Sequence, residues 1–316
     1  MKRIREKGKN NQGYCNKNKY YKATKGLCGF ITAMLCISMI GSPIAYAEEA
    51  DDCEDDADAV VIEVSEPIDV EGDNYGYIPM DFQVPSLEGG YESSVDEYSG
   101  LNGATSIPSS YDSRIADNSL GTKVSPVKNQ GSYGTCWAFA AISAAESDAI
   151  IDGRYSSTEM PDYSELQLAY YTYNRAVDPL GGTTGDKVVV ADGIDYRKVG
   201  GNGYFSTMAM ASWIAPADEN IMPYEHVGSY AAGSVVDTDL DYEANIAHLQ
   251  NAYWVSIDDV DSVKKLIMER GSVDTSIYYD NTYLKKVTDA NNVTDYYFYN
   301  AEMDTQNHEI SLVGYI

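Results

Sequence analysis

The run Pro126-Val127-Lys128-Asn129-Gln130-Gly131-Ser132-Tyr133-Gly134-Thr135-Cys136-Trp137-Ala138-Phe139 constrains this chain most, because it places a thiol at the first turn of a helix, six residues after a side-chain amide. Cys136 to about Ile151 carries Trp137, Phe139, Ile142 and six alanines, while Gly131 and Gly134 interrupt the chain just before it. At a helix start, unpaired N–H groups and the positive end of the dipole lower a thiol's pKa below its free value of about 8.5, and the thiolate is the reactive form. A loop folded back over the helix start would let the Cys136 N–H and the Gln130 amide stabilise an oxyanion.

A thiol nucleophile also needs an imidazole, and His226, His248 and His308 are the whole choice. His308 opens Asn307-His308-Glu309-Ile310-Ser311-Leu312-Val313-Gly314-Tyr315, whose apolar positions suit a largely buried strand, a rigid place to hold a base.

Beyond that block, Ile107-Pro108-Ser109-Ser110-Tyr111-Asp112-Ser113-Arg114, Ser164-Glu165-Leu166-Gln167, Gly200-Gly201-Asn202 followed by Ser206 to Ala215, and Pro223-Tyr224-Glu225 recur in an order that resembles the papain-like cysteine proteases (peptidase C1). The resemblance covers roughly the last two thirds of the chain and is nearest in character to Gram-positive cell-surface members. It implies an α+β, two-lobed fold, with a helical lobe bearing the Cys136 helix and a β-sheet or barrel lobe bearing His308. It also implies roles: Cys136 as nucleophile, His308 as base, Gln130 as oxyanion donor, Gly200-Gly201 as a backbone rail for extended substrate, and Gly134, Trp137 and Asn307 beside that substrate.

Three departures from the family pattern matter. Tyr133 stands where many members have a cysteine, so the usual neighbouring disulfide cannot form. Glu309 stands where relatives often have a small residue bordering the pocket for the second substrate side chain; an acidic lining there favours a basic side chain. The family orients its histidine with an Asn-Ser-Trp-Gly-like segment further on, whereas this sequence ends at Ile316, eight residues past His308. The expectation is a domain incomplete at its C-terminus, a piece of a longer gene.

Residues 1–25 hold nine Lys and Arg and one acid, Leu27 to Ile44 is mostly apolar, and Ala45-Tyr46-Ala47 is a small-x-small cleavage site. Residues 1–47 therefore read as a long signal peptide, and as a membrane anchor in the minor alternative. No cysteine ends the apolar stretch as a lipid-modified one would. The net charge is −27, and without residues 1–47 it becomes −35, which repels nucleic acid and anionic lipid. Residues 48–106 contain eighteen acids and no Lys or Arg, too few apolar residues to form a core alone. They read as a prosegment, lying across the cleft through Tyr75-Gly76-Tyr77-Ile78-Pro79-Met80, or as a solvated spacer. The acidic run Asp51 to Asp58 lacks the glycine and spacing of a calcium loop, and no metal or cofactor is expected.

After signal removal only Cys53 and Cys136 remain, so residues 107–316 are expected to fold as a disulfide-free peptidase domain, ample for a core. Ser164-Glu165-Leu166-Gln167 has the form of a capping box, Ser206 to Ala215 reads as a helix, and Asp178 to Val199 as a long loop. Strands are expected over 252–257, 273–279, 296–299 and 308–315, with a helix over 260–270 stopped by Gly271. Two functions stand side by side: a secreted or surface-held bacterial endopeptidase, monomeric, acting on proteins or peptides that include cell-wall or surface proteins; or a catalytically inactive papain-like domain used for binding or adhesion.

Overall fold

The computed structural model describes residues 33–40, 63–64, 76–79, 107–174 apart from 117, 119, 157 and 158, 187–190, 195–231, 244–289, 294–299 and 305–316. The Ala45-Tyr46-Ala47 cleavage site, the Asp51 to Asp58 run, Cys53 and most of 48–106 lie outside these residues, as do Tyr75 and Met80.

Helix α1, Cys136–Ile151, starts and ends as its alanine-rich composition predicts and is buried on nearly every side. Small side chains make this possible, since neighbours can approach its backbone all round. On one flank it meets α2, Glu165–Tyr173, and α3, Gly203–Ala211, in a core of Trp137, Ile142, Leu166, Tyr170, Phe205 and Met210. On another it meets a sheet, where Ser311 Oγ donates to the Ala140 carbonyl at 3.4 Å.

That sheet contains β1 (Ala33–Ile40), β5 (His248–Ser256), β6 (Val273–Ile277) and β9 (His308–Leu312) in the order β5-β1-β6-β9, with every pairing antiparallel. In β6 and β9, Val273 pairs with Leu312 and Ile277 with His308. A second core of Val255, Val263, Leu266, Ile267 and Val273 lies between the sheet and α4, Val260–Arg270. Asp259 caps α4 by accepting the Ser262 N–H at 3.2 Å, and Gly271 ends it at φ +81°. The mixed helix and sheet architecture agrees with the α+β expectation.

The apolar stretch read as part of an export signal thus includes β1, which pairs along β5 from Ala33 opposite Ser256 to Ile40 opposite His248. Two-residue strands Glu63–Val64 (β2) and Val189–Val190 (β4) pair in parallel, so the expected loop over 178–199 contains a strand and, at Tyr196–Lys198, a turn of 3₁₀ helix. Tyr111–Asp112 (β3) pairs with Gly314–Tyr315 (β10). Leu284–Thr288 (β7) and Thr294–Phe298 (β8) form a hairpin with exposed Tyr296 and Tyr297.

The capping box at α2 forms by half. Ser164 Oγ accepts the Gln167 N–H at 3.0 Å, but the Gln167 side chain accepts Ala217 N–H at 2.6 Å and donates to Asn245 at 2.9 Å. Its amide satisfies a distant loop because Ser164 N–H is already held by the Ala217 carbonyl. Helix α3 begins three residues before the expected start, because Asn202 Oδ1 accepts the N–H groups of Tyr204 and Phe205.

Candidate active site

Thr135, the residue before α1, makes no side-chain cap, so the first N–H groups of the helix are available to other acceptors. The backbone N–H groups of Trp137 and of Glu309 on β9 lie near enough to the Cys136 sulfur to favour its charged form. Contact between the first turn of α1 and the start of β9 brings the two candidate catalytic segments together. His308, first residue of β9, packs its ring 5.8 Å from that of Tyr279. The other histidines lie elsewhere: His226 is exposed beside Glu225, and His248 stacks on Trp213 at 4.3 Å.

The thiol differs from its expected state. Cys136 is 1 % exposed, and burial, followed by the charges of Glu309 and Asp274, pushes it well above its ordinary value; the two N–H donors pull the other way and are outweighed. Burial alone lowers His308 to about 4. In this arrangement the thiol is protonated and the imidazole neutral. A helix start favours a thiolate only while the sulfur has something to solvate its charge.

Gln130 donates its amide to the Tyr133 carbonyl at 2.7 Å, folding the loop over the helix start. Tyr224 braces that loop from outside: its hydroxyl donates to the Gln130 carbonyl at 2.9 Å and meets Thr135 Oγ1, and its ring stands edge-on to Phe139 at 4.7 Å. Gly134 N–H donates to the Arg197 carbonyl at 2.7 Å, while the Arg197 guanidinium bonds Asp195, Val227 and Gly228 and lies 5.8 Å from the Tyr133 ring. Tyr133 thereby serves as the platform for a cation.

Lys128 anchors the start of the same loop. Its ammonium lies 2.7 Å from Glu146 of α1, 2.8 Å from Asp162 and 2.8 Å from Glu165 of α2, and donates to the Tyr163 carbonyl. Burial raises Glu165 to about 8 despite the lysine's opposing charge. Nothing in the local sequence signals this cluster, whose other members lie 18 to 37 residues beyond Lys128.

The proposed rail is occupied by the chain itself. Ile78 N–H donates to the Gly201 carbonyl at 2.7 Å, Gly201 N–H to the Gly76 carbonyl at 2.8 Å, and Asn202 Nδ2 to the Ile78 carbonyl at 3.0 Å. Tyr77 pairs in parallel with Gly201, and its N–H reaches the Asn307 carbonyl at 3.4 Å. Gly76 passes between Gly134 and Gly200 with no room for a side chain: a Cβ on it would lie 2.5 Å from the Gly134 oxygen, and one on Gly200 would overlap Gly76. Gly201 lies flat on the Trp137 indole, and Tyr173 donates to the Gly200 carbonyl. Gly134, Gly200, Gly201 and Asn307 therefore all touch segment 76–78, with Trp137 beneath. The Asn307 side chain is committed to the Tyr279 backbone, at 2.7 and 2.9 Å.

A buried thiol at a helix start, an oxyanion-forming loop, a histidine-headed strand and a rail for extended peptide define the site of a thiol-dependent peptidase. The description "Papain family cysteine protease" matches residues 107–316, and the chain belongs to that family. No curated protein matches the sequence. The chain is thus a cysteine-type, papain-like peptidase acting on protein substrates.

Proposed function

We propose that this protein is an exported bacterial endopeptidase held as a zymogen, in which Gly76–Ile78 occupies the rail and keeps Cys136 buried and protonated. The seating of that segment on Gly201, Asn202 and Asn307 is the observation that carries the reading. Once it leaves, water and substrate reach the sulfur, and the dipole of α1 and the Trp137 N–H favour the thiolate. Cys136 Sγ then attacks the scissile carbonyl, the Cys136 N–H and Gln130 amide stabilise the oxyanion, and the His308 imidazolium protonates the leaving amine. Water, deprotonated by His308, hydrolyses the acyl-enzyme and restores the thiol.

Export rests on residues 1–47, with cleavage after Ala47, and secretion or surface retention, a monomeric state and action on cell-wall or surface proteins belong to the same proposal. Cleavage there withdraws β1 from between β5 and β6 and leaves their edges bare. Casein hydrolysis by the secreted protein tests the mechanism: Cys136→Ala abolishes it, and retained hydrolysis refutes the assignment. N-terminal sequencing of the same material tests the cleavage site.

A further inference from the structure

Arg197 meets the oxyanion loop twice. Its carbonyl accepts the Gly134 N–H at 2.7 Å, and its guanidinium lies 5.8 Å from the centre of the Tyr133 ring, within cation–π range. The Tyr133–Gly134 peptide is planar and trans, so an N–H fixed on one side directs the Tyr133 carbonyl to the other, where it accepts Gln130 Nε2 at 2.7 Å. The side-chain amide of Gln130 is planar too. Once one of its N–H groups is committed to that carbonyl, the direction of the second, which the mechanism above aims at the oxyanion, is fixed with it.

The guanidinium is itself immobilised. Asp195 accepts from Nε and Nη2 at 2.8 and 2.7 Å and from the Arg197 backbone N–H at 3.1 Å, while Nη1 donates to the Val227 and Gly228 carbonyls at 3.1 and 2.9 Å. All three of its nitrogens are held, so the plane cannot turn away from the ring. Val227 and Gly228 belong to the 3₁₀ segment Tyr224–Ser229, which also supplies the Tyr224 hydroxyl to the Gln130 carbonyl at 2.9 Å. Gly228 leaves room for the ring edge, since a Cβ there would stand 3.3 Å from the Tyr133 hydroxyl. Neutralising Asp195 requires none of the contacts to Tyr133, Val227 and Gly228; their joint effect is to tie the oxyanion loop to two segments distant in sequence. Resting on the peptidase reading above, we infer that Arg197 is a positioning residue for the oxyanion site, acting through Tyr133 on the Gln130 amide.

The test uses the full chain carrying Gly76→Val, which unseats the covering segment, with Arg197→Met or Arg197→Lys added. Arg197→Met removes every guanidinium contact and keeps the backbone bond to Gly134. Initial rates on a fluorogenic peptide amide give kcat and KM. Iodoacetamide gives the alkylation rate of Cys136, a displacement of iodide that forms no oxyanion and so reports on the thiol alone. Nitrogen-15 NMR follows hydrogen exchange of the Gln130 side-chain amide, identified by its loss in Gln130→Glu. Arg197→Met is expected to lower kcat about 10–100-fold with KM held within about twofold, the scale of a misplaced catalytic donor, to leave alkylation unchanged and to speed Gln130 exchange. Arg197→Lys, which keeps a charge over the ring without the planar fork, recovers part of kcat. An unchanged kcat, a rise in KM alone, a parallel fall in kcat and alkylation, or unaltered Gln130 exchange overturns the positioning role. Alkylation of Cys136 without hydrolysis of any peptide by the Gly76→Val protein overturns the peptidase reading instead, and Gln130 exchange then still decides whether Arg197 holds the amide.

Discussion

On the zymogen proposal, Gly76→Val isolates the contact that would hold the enzyme closed. Gly76 has φ +106°, a region that costs a side-chain-bearing residue about 1–3 kcal/mol, and its missing Cβ is where the Gly134 backbone lies. Gly134 cannot retreat, since its N–H is fixed to Arg197 and the helix begins two residues later. The variant segment therefore leaves its seat, forfeiting three hydrogen bonds of 2.7, 2.8 and 3.0 Å to Gly201 and Asn202. At about 1 kcal/mol net for each, the loss is about 3 kcal/mol, which lowers the closed-to-open ratio about a hundredfold. The assay is carboxymethylation of Cys136 by iodoacetamide at pH 6, followed by peptide mapping, alongside casein hydrolysis by the same full-length protein. Both rates are expected to rise steeply in the variant. Gly121→Val is the control: it places a side chain at φ +72° with nothing within 4 Å, so it carries backbone strain without touching the cleft. Equal labelling of Cys136 in wild type, Gly76→Val and Gly121→Val would refute the argument that segment 76–78 shields the thiol.

His308→Gln is expected to lower kcat on casein by about 10²–10⁴-fold while leaving the melting temperature nearly unchanged, as measured by initial rates and thermal melts. Lys128→Met strips the cation from buried Glu146 and Glu165 and is expected to cost about 3–5 kcal/mol, on the order of 10 °C in melting temperature by calorimetry. Burial raises Asp274 above its ordinary 3.8, and it titrates together with Glu309, to which its side chain is hydrogen-bonded, so its contribution to stability is full below about pH 4 and is lost as the pH rises. Asp274→Asn removes that loss: its melting temperature should match wild type at pH 4 and exceed it progressively between pH 5 and 9, and a gap independent of pH would contradict the burial argument.

Local chemistry was legible wherever one stretch of sequence decides it. Helix α4 runs over the expected residues because Asp259 and Gly271 mark both ends, and α1 because alanines tolerate burial on all sides. Strand β5 begins four residues early, since His248, Leu249, Gln250 and Asn251 are mixed polar and apolar and are drawn into the strand by pairing with β1 rather than by their own periodicity. The path of Gly76–Ile78 across the rail was visible in the sequence only as a Gly between tyrosines; what fixes it is the close approach of three glycine backbones from distant positions. The Lys128 cluster and the approach of Asp274 to Glu309 had no local signature, because their meaning comes from which residues face them after folding.

The thiol shows why the same residue reads differently at the two levels. Sequence places Cys136 at a helix N-terminus, where the dipole favours negative charge, and the structure agrees about the helix. That preference is limited to roughly a kcal/mol or two, whereas desolvating a charged group shifts its pKa by several units, with two acids close by adding to the same direction. The larger effect wins while the cleft is covered. Reactivity is therefore not a property of the cysteine motif alone: the motif supplies a fixed bias, and on the zymogen proposal the segment seated on Gly201 sets whether solvent is present for that bias to act.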